Sequence, residues 1–181
     1  RPAEFKRDDD KITIGWIGSP STTPFLKDIS DVFPEIVKRY PQARLKTVGA
    51  ASDFDIPVSL IKKEWSLKDE LSDLQSFDIG IMPLDSDPFY RGHLGHKMIQ
   101  YMCVGIPVVA SNAGLNYVAV KNGINGFLVS SRDEWVEKLS LLIENESLRR
   151  QMGQNGRKIA EEVFSLEKLS AVFIDVIKKL K

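Results

Sequence analysis

Arg91-Gly-His-Leu-Gly-His-Lys-Met-Ile-Gln-Tyr-Met-Cys-Val-Gly-Ile-Pro-Val-Val-Ala-Ser111 decides how the rest of the chain is read. It is a glycine-punctuated loop that runs into a short helix, a sharp turn and an apolar strand. Gly92 and Gly95 would let the backbone come close to something at the mouth of the helix. From Lys97 onward the spacing is helical, with Ile99, Met102 and Cys103 as the expected apolar stripe. Lys97, Gln100 and Val104 fall on a second stripe, so the amine and the amide share a face. Gly105 stands where a helix C-cap glycine belongs, and Pro107 stops continuation. Val108, Val109 and Ala110 suit a parallel strand covered on both faces. Loop amides at the positive end of a helix, with a lysine in its first turn, suit an anion such as phosphate. The same spacing also suits an ordinary α/β crossover with an uninvolved lysine.

Outward from this stretch, short apolar runs alternate with helical periodicity. Ile12, Ile14, Trp16 and Ile17 predict a first strand, closed by Gly18-Ser-Pro-Ser-Thr-Thr-Pro24. Phe25 to Val37 repeat at helical spacing, with Pro34 expected to kink or restart the helix. Strands are expected at Arg44–Val48, Val58–Ile61 and Asp78–Met82, and again at Phe127–Val129. Ser66 to Asp69 and Ser131 to Glu134 read as capping boxes. The C-terminal part reads as helices alone: one with Trp135, Leu139, Leu142 and Ile143 on its apolar face, one from about Ser147, and one from about Ser165. The last carries Leu169, Val172, Phe173, Val176, Ile177 and Leu180. All three are expected on one side of the sheet. The pattern predicts an α/β fold: a doubly wound parallel sheet of about six strands with a helical tail. In such sheets the site lies beyond the carboxyl ends of the strands. Those ends are Gly18–Thr23, Gly49–Ser52, Pro83–Lys97 and Ser111–Asn116.

Composition narrows the function classes. The 181 residues suit one domain, and Lys+Arg and Asp+Glu both number 25, so no net field recruits nucleic acid or an acidic membrane. The single cysteine, Cys103, excludes an intrachain disulfide framework and a Cys-rich metal site, and is expected to be a buried small hydrophobe in a reducing, cytoplasmic setting. His93 and His96 lack the context of a helical zinc motif and have no evident third ligand. No apolar run reaches the length of a membrane span. Residues 1–10 are polar and read as a linker or tail. Residues 11–181 form the domain, and the opening Arg-Pro-Ala-Glu-Phe, with neither start methionine nor apolar signal core, suggests a piece of something longer.

The run Lys97 to Ser111, followed by Gly114 and by Asn122-Gly-Ile-Asn-Gly-Phe-Leu-Val129, resembles the donor half of group 1 (family 4) glycosyltransferases. Ile14-Gly-Trp-Ile-Gly-Ser-Pro20 and Phe77-Asp-Ile-Gly-Ile-Met-Pro-Leu84 are similar to that family too, and the resemblance extends over about residues 11 to 165. It implies a retaining enzyme of the two-domain GT-B fold, with two Rossmann-like halves about a cleft. This chain resembles the C-terminal half, which binds the nucleotide-sugar donor. The acceptor-binding N-terminal domain would be its missing partner, peripheral membrane association of the parent is compatible with it, and no metal or other cofactor is implied. The family commonly carries two glutamates with seven residues between them across this loop and helix; here those places are Gly92 and Gln100. The second holds ribose hydroxyls in the family, a role that the Gln100 amide could take. Arg91, Gly92 and Lys97 resemble a branch that uses basic residues instead, which makes Arg91 and Lys97 the catalytic candidates. Donor-binding residues are expected at Gly18, Ser19, Gly92, His93, Leu94, Gly95, His96, Lys97, Gln100 and Gly114. Lys27 lies late for the basic residue expected near the first strand's exit. Trp16 reads as core and Trp65 as packing or the flank of a base. Asp53, Asp55, Asp85 and Asp87 read as an acidic rim. A nucleotide-sugar epimerase half, or a non-catalytic nucleotide- or phosphate-binding α/β domain, are the alternative functions.

Overall fold

The computed structural model describes residues 10–85, 92 and 95–179. Within them six strands form one sheet in the order β3-β2-β1-β4-β5-β6, every pairing parallel. The strands are β1 (Ile12–Ile17), β2 (Ala43–Val48), β3 (Leu60–Lys63), β4 (Ile79–Met82), β5 (Val108–Ser111) and β6 (Gly126–Val129). The helices are α1 (Thr23–Lys27), α2 (Val32–Arg39), α3 (Glu70–Gln75), α4 (His96–Val104), α5 (Asn116–Ala119), α6 (Arg132–Glu144), α7 (Glu146–Val163) and α8 (Leu166–Lys179). This is the expected doubly wound Rossmann-like sheet. Chain order runs outward from β1 to β3, then returns to pair β4 on the other side of β1. The carboxyl ends of β1 and β4 therefore flank the crevice where such sheets take ligands.

Side-chain alternation along β1 divides the core. Ile14 and Trp16 point into a cluster with Leu26, Phe33 and Ile36 of α1–α2 and with Trp135, Leu139 and Leu142 of α6. On the other face Ile17 joins Met98, Tyr101 and Met102 of α4, Phe77, and Ala160 of α7. That second face is hollowed by two glycines in register, Gly15 and Gly80. A Cβ at Gly15 would lie 1.9 Å from the Phe77 ring, and one at Gly80 2.5 Å from Tyr101. The two rings fill the hollow edge to face, centroids 6.2 Å apart. Beyond this pair β1 and β4 diverge, and the buried Tyr101 hydroxyl bridges them. It accepts from the Ile17 N–H at 3.2 Å and donates to the Ile81 carbonyl at 3.3 Å.

Several local expectations are corrected. The break between α1 and α2 falls at residues 28–31, and α2 carries Pro34 in its first turn, where a missing N–H costs nothing. Ser66 does not cap α3: residues 66–69 form a turn closed by Asp69 N–H to Ser66 O, and the helix starts at Glu70. Ser131 does cap α6, accepting from the Glu134 N–H, but the Glu134 carboxylate reaches one residue further back, to Ser130. The three C-terminal helices do not share one side. α6 lies with α2 on one face, while α7 crosses the sheet edge, giving Met152 to the first cluster and Ala160 to the second. Cys103 is exposed. The buried stripe of α4 is Met98, Tyr101, Met102 and Val104, one residue out of phase with the expected one.

Candidate functional site

A cavity of about 720 Å³ opens at the carboxyl ends of β1 to β4. Its floor is made by strand exits. Gly18 continues the β1–β2 ladder through its N–H to Val48 O, and Gly49 continues β2–β3 through its N–H to Lys63 O. Gly49 has φ +74°, and a Cβ there would meet the Gly18 carbonyl at 2.3 Å, so no larger residue fits. Ser19 to Thr22 turn sharply over one wall, with Thr22 N–H bonded to Ser19 O.

The opposite wall is the start of α4. Gly95 is its N-cap residue and, among the described residues, no side chain caps it. The first-turn N–H groups are thus directed at the cavity mouth with the positive end of the helix dipole behind them. The Lys97 amine extends from this turn across to the β1 exit, donating to Thr22 Oγ1 at 3.1 Å and lying 4.6 Å from the centre of the Trp16 ring. It has no carboxylate partner among the described residues. Burial lowers its pKa from 10.5 to about 8, since desolvation disfavours the ammonium. An amine thus lies at the first strand's exit, carried there by α4. Lys27 turns outward to Asp53, 3.7 Å away.

A second group of polar side chains lines the far end of the cavity. Gln100, one turn along α4 on the same face as Lys97, donates through Nε2 to Glu70 Oε1 at 3.0 Å. The other carboxylate oxygen of Glu70 accepts the Trp65 indole N–H at 2.7 Å. Trp65 itself is half exposed, at 49%.

Of the residues expected at the site, Gly18, Ser19, Gly95, His96, Lys97 and Gln100 line this one cavity. Gly92 and Gly114 do not line it. Gly92 is exposed with open space where a Cβ would be, and Gly114 serves a turn after β5 with φ +55°. Arg91, His93 and Leu94 lie outside the described residues, as does Asp87. Trp16 is fully buried, yet its ring also forms the bed under the Lys97 amine. Of the expected acidic rim, Asp53 pairs with Lys27 and Asp55 with Lys62, both at the surface. Among the described residues no group of three or more His, Cys, Asp or Glu could hold a metal ion. Sequence reasoning missed Glu70 and Thr22. The strand-exit position of Thr22 was a usable signal, whereas Glu70 reads as one more exposed helix residue.

A family model described as glycosyl transferases group 1 matches residues 2–159. The capsular polysaccharide biosynthesis glycosyltransferase CapM of Staphylococcus aureus is 27% identical over 172 residues, 87% of this chain and 43% of that protein. Among solved structures, Anabaena HepE in complex with UDP and glucose shares the fold at a TM-score of 0.74 and 18% identity, covering 93% of this chain and 48% of that one. The C-terminal domain of a glycosyl transferase group 1 family protein from Francisella tularensis shares it at a TM-score of 0.66 and 18% identity, covering 86% and 87% of the two chains. The chain spans about two fifths of the length of the first curated relatives it matches. The family match runs through all six strands and through the helix that carries Lys97 and Gln100, and the chain belongs to the group 1 glycosyl transferases.

Proposed function

We propose that this domain is the donor-binding half of a retaining glycosyltransferase and takes a nucleotide-sugar in the cavity at the ends of β1 to β4. One observation carries the reading: the Lys97 amine, partly desolvated and without a carboxylate partner among the described residues, reaches from the first turn of α4 to the Gly18–Thr22 turn, so that it and the start of α4 line the same cavity. An anion held there receives charge-assisted hydrogen bonds from the amine and first-turn amides. The diphosphate of a sugar donor has the right charge and needs that stabilisation most as it leaves. Gly18, Ser19, Gly95 and His96 would line the diphosphate, and Gln100 would lie toward the ribose. Arg91 and Lys97 are the groups proposed to act on the leaving charge, and no metal or other cofactor is assigned a part. The acceptor would be brought by a separate N-terminal domain, in the cytoplasm. That HepE was solved with UDP and glucose supports a nucleotide-sugar as the class of ligand.

The test is calorimetric titration with UDP, GDP and ADP. We expect at least one to bind, and Lys97→Ala to weaken it by about 1–3 kcal/mol, the range for hydrogen bonds to a charged group. Unchanged affinity in the variant would remove Lys97 from the site.

A further inference from the structure

The cavity is electrically two-ended. Lys97 and the start of α4 make one end positive, and the Glu70 carboxylate makes the other negative. A diphosphate alone would gain nothing from the second end. The matching ligand carries an anion at one extremity and neutral hydrogen-bond donors at the other.

The surroundings of Glu70 limit those donors further. Its carboxylate accepts one bond on each oxygen, from Gln100 Nε2 at 3.0 Å and from the Trp65 indole at 2.7 Å. No lysine or arginine forms an ion pair with it among the described residues. An ionised carboxylate offers about four lone-pair sites, so one remains on each oxygen. The two existing donors come from different elements, α4 and the exit of β3, and between them they orient the carboxylate plane. Two adjacent acceptors at a fixed spacing suit two adjacent hydroxyls. Along α4, Gln100 follows Lys97 by three residues, about 5 Å of helix axis. In dinucleotide-binding sheets a single carboxylate performs the same task for ribose hydroxyls.

We infer that Glu70 is the ribose-reading residue of this site, its carboxylate accepting from the vicinal 2′- and 3′-hydroxyls of the nucleotide, with Gln100 and Trp65 holding it in register. The inference rests on the nucleotide reading above and deepens it. The carboxylate absent from α4, where Gln100 stands, is supplied from α3 instead. Gln100 becomes a positioning residue through its bond to Glu70. Trp65 presents a half-exposed indole face beside the ribose.

The experiment compares UDP and GDP with their 2′-deoxy forms by titration calorimetry, in the wild type and in three variants. The wild type should favour the ribo form by roughly tenfold, the loss expected when one charge-assisted hydrogen bond to the carboxylate is removed. Glu70→Gln places an amide against the donors of Gln100 and Trp65. It should lose about that factor for the ribo form and bring the ribo-to-deoxy ratio close to one. Gln100→Leu, which frees the carboxylate to move, should lower the same ratio in part. Lys97→Ala should weaken ribo and deoxy forms alike and leave the ratio unchanged. A wild type that binds both forms equally overturns the assignment, and so does a folded Glu70→Gln that keeps the wild-type ratio. Binding of neither nucleoside diphosphate by the wild type overturns the nucleotide reading itself, and the ribose assignment with it.

Discussion

Lys97 links stability and function through one buried charge. Its ammonium is held at a place where its pKa falls from 10.5 to about 8, a difference of about 3 kcal/mol at most in favour of the neutral amine. The unfolded chain therefore binds more protons than the folded one between those two pH values, and stability rises as pH climbs through that window. Below about pH 8 the full cost is present. Lys97→Met keeps the stem over Trp16 and removes the charge, so thermal unfolding at pH 7 should show a gain of about 1–3 kcal/mol in the unliganded protein. The wild type should show the pH-dependent rise and the variant should lack it. An anion bound beside the amine reverses the balance by favouring the ammonium. Binding above pH 8 should then take up a proton, seen as a dependence of the calorimetric heat on buffer ionisation enthalpy. At this scale the place of Lys97 in a first turn was legible in the sequence, because it is a local property. The sequence was silent about Glu70, which enters the cavity only because β3 and α3 bring it against a helix thirty residues away. Cys103 was misplaced for a related reason: Ile99, Met102, Cys103 and Met98, Tyr101, Met102 have the same spacing. Only the hollow over Gly80, which receives Tyr101, selects the phase.

Among the elements, α7 makes a backbone-to-backbone approach that one of its glycines permits. A Cβ at Gly153 would stand 1.9 Å from the Gly105 carbonyl, so this helix approaches the α4–β5 turn backbone to backbone. Three residues on, a Cβ at Gly156 would meet Met102 Cγ at 3.3 Å, the middle of a flexible side chain. Gly153→Ala should destabilise by about 1–3 kcal/mol through overpacking that no rotamer can relieve. Gly156→Ala should be close to neutral, the gain in helix propensity of up to about 1 kcal/mol offsetting a small adjustment. Thermal melts of the two variants make the comparison, and an equal loss in both would show that α7 is not seated on Gly105. The strands were legible as short apolar runs and the six-stranded parallel sheet agrees with the one expected, although β3 (Leu60–Lys63) lies two residues later than the Val58–Ile61 expected. Which face α6 and α7 would take was not legible, since each has an apolar stripe that fits either side. Their separation follows from Trp135 and Leu139 meeting Phe33 and Ile36 on one face while Ala160 meets the α4 side on the other.

For the whole molecule, which spans two fifths of the length of its relatives, the proposed donor-half reading predicts a division of labour. Retaining transfer needs the acceptor hydroxyl positioned against the anomeric carbon, and positioning of two reactants supplies much of the acceleration. In the proposed reading the cavity takes the leaving diphosphate, and the acceptor comes from a separate domain. The expected outcome is that this chain binds nucleoside diphosphate and transfers no sugar, while a chain joined to an acceptor domain transfers it. Product analysis with radiolabelled nucleotide-sugars distinguishes the two, and robust transfer by the isolated chain would refute the division. Helix α8 has its own place at this scale: Leu169, Phe173, Val176 and Ile177 are all exposed. The described residues leave that apolar stripe bare.

The strand order has a consequence for synthesis as well. β1 pairs β2 about thirty residues downstream, yet its other edge waits for β4, with Ile14 opposite Ile79. As the chain leaves a ribosome, β1, β2 and β3 can assemble once Lys63 is out, with the free edge of β1 open until Met82 follows. At typical elongation rates that interval lasts about 1–4 s. During it the Gly15 hollow stands empty, because Phe77 and Tyr101 have not yet been made or have only begun to emerge. An open edge beside an unfilled hollow is a point of entry for another nascent strand. The glycine pair that makes room for the aromatic keystone thus also leaves the half-made sheet with a hollow beside its open edge until Phe77 emerges.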